Sequence, residues 1–336
     1  MKTEKFKCFI WVVSLSVFML LASCANETNS GGRTVRLANT LSLSHPSHAS
    51  LEEFAEFVFE ASDGELEVEI FPNGMLGGER DVIEMIQAGV LEFSRVSASA
   101  LEAFNDDYQI FSLPYVFQSQ VHFHDVMNNS EAVQEIFIST ESQRFIAIGW
   151  LDAGQRSIYL SDDVRVETPE DLRGRSIRVM ESPTTIEMIG AMGGVATPMP
   201  FGEVYTGLQQ GIIDGAENNE TALTLSGHGE VTGAYIYTEH QFSPDILIVS
   251  TNFWNSLSKS EQSLFQEAAQ QISASHKVRW EESVDEAVTQ AETKGVHFYQ
   301  IDKTPFIEAT APLREDFVAQ SDHHRKILED FQSYLD

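Results

Sequence analysis

The chain has 336 residues, 42% of them hydrophobic, and carries a formal net charge of −30 at pH 7. A field of this sign repels the phosphate backbone of nucleic acids, so we expect no nucleic-acid partner. It also repels anionic ligands at long range, so a site for an anion would need a few arginines that overcome the field locally.

The N-terminus has the features of an export signal. Three lysines precede an apolar stretch from about Phe9 to Leu21, which is too short for a transmembrane helix and predicts a secretory leader. The stretch ends at Leu21-Ala22-Ser23-Cys24, which resembles the lipobox of bacterial lipoproteins, where cleavage precedes a cysteine whose sulfur carries the lipid. We therefore predict a lipoprotein signal peptide over 1–23, a lipid on Cys24 and a flexible tether over 24–33. Ordinary cleavage, giving a free protein, is the alternative.

Cysteine usage agrees with export. The only cysteines are Cys8, inside the leader, and Cys24, at the expected cleavage point. A lipidated mature chain would have no free thiol and no disulfide, which suits an oxidising compartment. Without the first 23 residues, 313 remain, which is enough for two domains of ordinary size.

The first elements of the mature chain alternate between strands and helices. Residues 33–39 predict a short strand, and alternating apolar and acidic residues over 65–70 predict a half-buried one. Residues 79–88 predict a helix that Gly89 ends. An earlier helix is predicted from apolar residues at helical spacing, namely Leu51, Phe54, Ala55, Val58 and Phe59. This alternation is typical of an α/β protein.

A second unit is expected from about Trp150. Thr168 and Pro169 have the residue types of a helix cap and first helical position. Further elements are predicted in chain order: a strand over 176–180, a helix over 201–210, a strand over Ile212 to Asp214, and a central strand over 246–250.

A long helix is the most distinctive predicted element. Ser258 to Glu261 match a capping box, and no Pro or Gly follows until Gly295. Roughly 35 helical residues would span about 50 Å, which exceeds one small domain, so the helix is expected to run across both units. Two helices joined by a kink are the alternative.

Motifs for metal binding and catalysis are weak. His122 and His124 are two residues apart and His323 and His324 are adjacent, but neither pair has a third ligand nearby. We therefore expect solvated histidines and neither a metal nor a cofactor. No nucleophile elbow, phosphate-binding loop or available catalytic cysteine is present, so the sequence predicts a binding protein and not an enzyme.

Two arginines are more informative. Arg178 is flanked by apolar residues on the predicted strand 176–180, and Arg156 follows Gly154 closely. A guanidinium keeps its charge and is costly to bury unpaired. Each arginine must therefore either form a structural ion pair or receive an acidic group of a ligand, and both possibilities stay open for each.

Three segments carry a family resemblance. They are 71–80 (FPNGMLGGER), 171–180 (DLRGRSIRVM) and 208–218 (LQQGIIDGAEN). In order and spacing they resemble the substrate-binding proteins of TRAP transporters (tripartite ATP-independent periplasmic transporters) over essentially all of 34–320. The resemblance implies an α/β, two-lobed periplasmic-binding-protein-like fold with a ligand cleft between the lobes and a long helix spanning both. We assign 34–153 and 244–283 to lobe I, and 154–243 and 284–336 to lobe II.

The resemblance also implies the site residues. The family's arginine that holds the ligand carboxylate in a two-pronged salt bridge falls on Arg178, and its second arginine falls on Arg156. A planar guanidinium fork matches carboxylate geometry, whereas lysine is a point charge. The other positions are an asparagine near the carboxylate, an aromatic packed on the ligand, an acid that accepts ligand hydroxyls and a residue of the first strand-to-helix loop: Asn218, Phe201, Glu79 and Asn39.

The implied ligand is a sugar acid. Residues 154–159, 217–219 and 239–245 resemble the branch that binds glucuronate and galacturonate, with C4-dicarboxylates as the alternative. The resemblance thus implies a periplasmic receptor, anchored through Cys24, that delivers a small carboxylate to the membrane permease subunits of a TRAP transporter. A ligand sensor would use the same site. A uronate-acting enzyme would need a base beside the acidic carbon of its substrate, and no residue stands out as one.

Overall fold

The computed structural model of the protein describes residues 32–335, which two β-sheets organise. Cys24, the predicted signal peptide and most of the predicted tether lie outside these residues. Within 32–335, no helix combines the length and the apolar character that crossing a bilayer requires.

The first sheet has five strands. They are β1 (Arg33–Asn39), β2 (Leu66–Phe71), β3 (Phe93–Ser97), β4 (Phe145–Leu151) and β10 (Asp245–Ser250). Their order is β2–β1–β3–β10–β4, with β1 parallel to β2 and β3, and β10 antiparallel to β3 and β4. Every residue of β10 is buried, as its apolar sequence predicts for a central strand.

The second sheet has six strands. They are β5 (Gln155–Leu160), β6 (Ser176–Val179), β7 (Val195–Pro198), β8 (Gly215–Asn218), β9 (Ala234–Phe242) and β11 (His297–Gln300). Their order is β11–β9–β5–β8–β6–β7. The predicted strand over Ile212 to Asp214 is wrong, because these residues form a turn in which the Ile212 amide bonds back to Gly207. The strand begins three residues later than predicted, at Gly215.

Twelve helices cover the sheets within the described residues. They are α1 (Pro46–Ala61), α2 (Glu79–Gln87), α3 (Ala98–Leu101), α4 (Gln120–Asn129), α5 (Glu131–Ser139), α6 (Pro183–Ala191), α7 (Val204–Gln209), α8 (Thr221–Leu225), α9 (Thr251–Trp254), α10 (Lys259–Thr293), α11 (Thr304–Gln320) and α12 (Asp322–Gln332). Shorter 3₁₀ turns lie at Asp106–Phe111, Glu141–Gln143, Pro169–Leu172, Phe201–Glu203 and His228–Glu230. The predicted helix after Thr168 is therefore only a 3₁₀ turn. Phe59, predicted on the buried face of α1, is 49% exposed.

The long helix α10 is continuous over its 35 residues. The prediction of one long helix is therefore confirmed, and the alternative of two helices joined by a kink is not observed. It begins with the predicted capping box, in which the Ser258 hydroxyl accepts from the Glu261 amide over 3.2 Å. It packs against α1 and β4 of the first sheet and against α8 beside the second sheet. One helix thus spans both halves, so the predicted α/β two-lobed fold class is confirmed.

The histidine prediction is wrong at two positions. His122 is buried, and its Nε2 bonds to the Phe331 carbonyl oxygen over 2.8 Å, while His324 is buried and stacks on Phe317. Both lie on helix faces that pack against distant segments, which the local sequence does not reveal. Among residues 32–335, no group of three or more His, Cys, Asp or Glu side chains is arranged to hold a metal ion.

The two sheets are connected by chain crossings at 152–154 and 243–244, between β4 and β5 and between β9 and β10. The C-terminal helices also link them, because Phe306 of α11 packs in the core of the second sheet and Phe331 of α12 in that of the first. The division into 34–153 with 244–283 and 154–243 with 284–336 stays a prediction.

Candidate ligand-binding site

A cavity of about 320 Å³ lies between the two sheets. Its walls come from the loops that follow β1 and β2, from strand ends of both sheets, and from Trp280 of α10. The volume suits one small molecule. Five of the six predicted ligand-binding residues line it, namely Glu79, Arg156, Arg178, Phe201 and Asn218.

Arg178 is a buried cation without a carboxylate partner among residues 32–335. It is 3% exposed, its Nε donates to the Met199 carbonyl oxygen over 2.9 Å, and its guanidinium carbon lies 5.8 Å from the centre of the Phe201 ring. Burial lowers the pKa of Arg178, although the Glu217 carboxylate opposes this. The fork of the guanidinium is therefore available to an anion in the cavity.

Arg156 is held by the protein itself. Its Nε and one terminal nitrogen bond the Glu217 carboxylate over 2.5 and 2.9 Å, and its other terminal nitrogen donates to Asn218 Oδ1 over 2.8 Å. Burial alone would raise the pKa of Glu217, but Arg156 and His240 lower it to about 2. Of the two possibilities left open for Arg156, the structural ion pair is the one observed.

Asn218 is oriented by this ion pair. Its Oδ1 accepts from Arg156 and from the Asn219 amide, over 2.8 and 2.9 Å, so the side-chain NH₂ group is left to face the cavity. Phe201 presents its ring beside Arg178 on the same wall. The second-sheet wall thus offers a free cation, an amide donor and an aromatic face.

The first-sheet wall is built on another buried arginine, Arg95, in the middle of β3. Its terminal nitrogens bond Glu79 over 3.1 Å and the Asp245 carboxylate. Glu79 also accepts from the Ser97 amide over 3.0 Å, so its carboxylate is fixed at the start of α2. Burial raises the pKa of Asp245 to about 6, although Arg95 opposes this. Two carboxylates against one cation make this wall rich in hydrogen-bond acceptors.

Asn39 is the predicted residue that does not line the cavity. It is 1% exposed, and its side-chain oxygen accepts from the Leu41 amide over 3.2 Å, so the side chain fixes the end of β1. Its carbonyl oxygen accepts from Gly74, which orders the loop over 72–78 that does line the cavity. In that loop Gly77 has φ +110°, and a Cβ there would lie 2.7 Å from Asp81.

The lining residues that the sequence did not single out include Arg95, His45 and Trp280. Arg95 had a weaker signal than Arg178, because it lies on a strand between Ser94 and Val96, and only one of these neighbours is apolar. Trp280 had no comparable signal in the sequence, because it lies on a long helix that packs against different elements at different points along its length. It lies over the crossing at Gly154, where a Cβ would come within 2.8 Å of the indole.

The charges leave the cavity polarised. Among the buried charges of the second-sheet wall Arg156 and Glu217 cancel, which leaves the positive charge of Arg178; Glu181 and Glu203 also line the cavity but are exposed. On the first-sheet wall Arg95 is opposed by Glu79 and Asp245, which leaves an excess of negative charge. The arrangement fits a molecule with a carboxylate at one end and hydrogen-bond donors such as hydroxyls at the other.

Comparison with known proteins gives consistent matches. A sequence profile described as bacterial extracellular solute-binding protein, family 7 (DctP), matches residues 37–321. The uncharacterized protein YiiZ of Salmonella typhimurium is 39% identical over 296 residues, covering 88% of this chain and 90% of that protein. A TRAP periplasmic solute binding protein from Anaerococcus prevotii, crystallised with bound D-glucuronate, is 39% identical with a TM-score of 0.87, covering 90% and 97% of the two chains. One from Xanthobacter autotrophicus with bound β-D-galacturonate is 29% identical with a TM-score of 0.85, covering 89% and 99%.

Proposed function

Because this chain belongs to family 7 of the bacterial extracellular solute-binding proteins, the DctP family of TRAP receptors, we propose that its own ligand is a uronate such as D-glucuronate or D-galacturonate. In this proposal the protein captures the uronate outside the cytoplasm and delivers it to the membrane permease subunits of a TRAP transporter. It binds and releases the ligand without changing it.

The observation that carries the proposal is the state of Arg178. A buried guanidinium without an anionic partner costs free energy in the empty protein. A ligand carboxylate removes that cost by forming two parallel charge-assisted hydrogen bonds. The other buried arginines at the cavity, Arg95 and Arg156, already bond carboxylates of the protein. A ligand with one carboxylate therefore fits better than a C4-dicarboxylate, whose second carboxylate would find no free cation.

The rest of a uronate is a ring with hydroxyl groups, and the cavity supports this part of the proposal too. Glu79 and Asp245 can accept hydrogen bonds from hydroxyls, and Asn218 can donate one. Phe201 offers an apolar surface to the ring carbons. Related structures hold D-glucuronate and β-D-galacturonate, at 39% and 29% identity.

Calorimetric titration with D-glucuronate tests the role of Arg178. Arg178→Ala removes the partner of the carboxylate and leaves that carboxylate unpaired in the closed site, which costs about 3–5 kcal/mol and weakens affinity roughly a hundred-fold or more. Arg178→Lys should restore only part of the affinity, because the fork is lost.

Arg325→Ala is the matched control, because Arg325 does not line the cavity and its side chain is 52% exposed and pairs with Asp322. This variant should bind within about two-fold of wild type. Glucose, which lacks the carboxylate, should not bind at the same concentrations. A loss below about five-fold in Arg178→Ala, or equal binding of glucose, would refute the proposal.

We also propose that the receptor is held at a membrane by a lipid on Cys24, on the basis of the Leu21-Ala22-Ser23-Cys24 motif. A tether would keep it near its transporter. Detergent partition of cells that make wild type or Cys24→Ala is the test. Wild type should enter the detergent phase, and equal partition of both forms into the aqueous phase would contradict the anchor.

A further inference from the structure

His45 lines the ligand cavity and has no role in the function proposed above. It caps the N-terminus of α1, is 6% exposed, and its ring centre lies 5.9 Å from that of Trp280. The residue therefore sits where the loop after β1, the long helix α10 and the cavity meet.

The contacts of His45 fix the position of its ring proton. The backbone amide of Ser47 donates to Nδ1 of His45 over 3.1 Å, so Nδ1 carries a lone pair. Burial lowers the pKa of His45 well below its usual range, and the charges of Arg95, His276 and His48 act in the same direction. The ring is thus neutral at pH 7, and its single proton must lie on Nε2.

This Nε2–H group is a donor without an acceptor. Among residues 32–335, no protein group bonds Nε2 of His45, and the side chain opens onto the cavity. An N–H group that a ligand shields from water without offering it an acceptor loses the free energy of a hydrogen bond. A ligand oxygen placed here would supply the missing partner.

Building on the proposed uronate function, we propose that His45 is a specificity-determining residue whose Nε2–H donates a hydrogen bond to a hydroxyl oxygen of the sugar ring. A neutral donor adds no charge, so it does not compete with Arg178 for the carboxylate. On the same wall Glu79 and Asp245 present carboxylates that accept. The first-sheet wall therefore offers the sugar ring both a hydrogen-bond donor and hydrogen-bond acceptors. The orientation of each hydroxyl on the ring, axial or equatorial, decides whether it contacts the donor or an acceptor.

Two substitutions separate the two jobs of His45. In His45→Asn the side-chain oxygen can still accept from Ser47, since asparagine is a good N-cap, but its NH₂ group is too short to replace Nε2. In His45→Gln the NH₂ group lies near the position of Nε2, but the cap is weakened. His45→Asn therefore keeps the helix cap and loses the hydrogen-bond donor to the cavity, whereas His45→Gln keeps the donor and weakens the cap.

The experiment is calorimetric titration of wild type and both variants with D-glucuronate and with its monodeoxy analogues at each ring hydroxyl. Wild type should lose affinity for every analogue that lacks a bonded hydroxyl. For the one analogue that lacks the hydroxyl bonded by His45, the bond to Nε2–H should account for about 3- to 10-fold of the loss, the range expected of one hydrogen bond. His45→Asn should show the same loss with D-glucuronate itself and no added loss with that one analogue. His45→Gln should recover most of the discrimination, which a merely structural role would not predict.

Three results would overturn the inference. His45→Asn could bind D-glucuronate as tightly as wild type, or it could weaken every analogue by one common factor, which would mean that it acts through the fold. Wild type could also fail to bind any uronate, and then the proposed function fails with it. If D-glucuronate binding is lost in Arg178→Ala but unchanged in His45→Asn, the inference alone is wrong.

Discussion

Replacing Glu217 by glutamine should destabilise the protein while leaving its shape intact. Glu217 is fully buried, and both its oxygens bond Arg156. The fall of its pKa from an ordinary 4.5 to about 2 corresponds to about 3 kcal/mol of favourable interaction with the charged form. Glu217→Gln leaves Arg156 as an uncompensated buried charge, which typically costs about 3–5 kcal/mol. We therefore expect the free energy of unfolding at pH 7 to fall by about 3 kcal/mol.

The pH dependence gives the prediction its sign. A carboxyl group whose pKa is lower in the folded state stabilises the fold above its unfolded pKa, and the stabilisation is lost as the pH falls through the folded pKa. For Glu217 the contribution is complete above about pH 5 and is lost between about pH 4.5 and pH 2. The difference between wild type and Glu217→Gln should thus shrink by roughly half between pH 7 and pH 3.

Urea unfolding with linear extrapolation, at pH 7, 4 and 3, measures this difference. Glu84→Gln is the matched control, because Glu84 also pairs with an arginine but both side chains are more than half exposed. The control should change the free energy of unfolding by less than about 1 kcal/mol at every pH. A loss in Glu217→Gln no larger than that of the control, or one that does not vary with pH, would refute the reasoning.

Three further predictions concern stability in the absence of ligand, each measured by the same urea unfolding. Arg178→Leu removes an unpaired buried charge and should raise the free energy of unfolding by roughly 1–3 kcal/mol; a decrease would show that Arg178 is paired in the free protein. Burial raises the pKa of Glu220 to about 7, so the folded state binds its proton more tightly than the unfolded state, and stability falls as the pH rises from about 4.5 to 7. Glu220→Gln should therefore be more stable than wild type by on the order of 1–3 kcal/mol at pH 8 but not at pH 4. A difference that is the same at both pH values would contradict this. Gly154→Ala should cost more than Gly174→Ala, because both have positive φ but only at Gly154 would the Cβ meet Trp280, at 2.8 Å; equal losses would mean that the indole yields freely.

The family resemblance, and not local sequence, singled out Glu79, Phe201 and Asn218, and all three line the cavity. Arg178 could be singled out from local sequence, since a guanidinium between apolar residues of a strand needs an explanation. In the described part of the chain it has no carboxylate partner, and its role toward a ligand stays a prediction. The role of Arg156 could not be decided from sequence. Its partner Glu217 is 61 residues away, and they meet only because β5 lies beside β8.

The wrong predictions, like the undecided role of Arg156, arise where local sequence does not contain the information that decides the structure. His122 and His324 look like surface histidines locally, but each is buried by a segment roughly 200 residues distant in sequence. The apolar pair Ile212-Ile213 is too short for its periodicity to distinguish a strand from a turn. His45 and Trp280 could not be placed at the cavity without knowing how α10 crosses the junction between the sheets.

The position of Trp280 means that ligand binding should change the intrinsic fluorescence of the protein. The sequence has four tryptophans, of which Trp280 lines the cavity. A sugar that displaces water from beside the indole makes the surroundings of the ring less polar, and indole emission responds to that polarity. Ligand binding can therefore be followed through the intrinsic fluorescence of the unlabelled protein. Trp280→Phe is the control, because this variant lacks the indole that responds to the ligand.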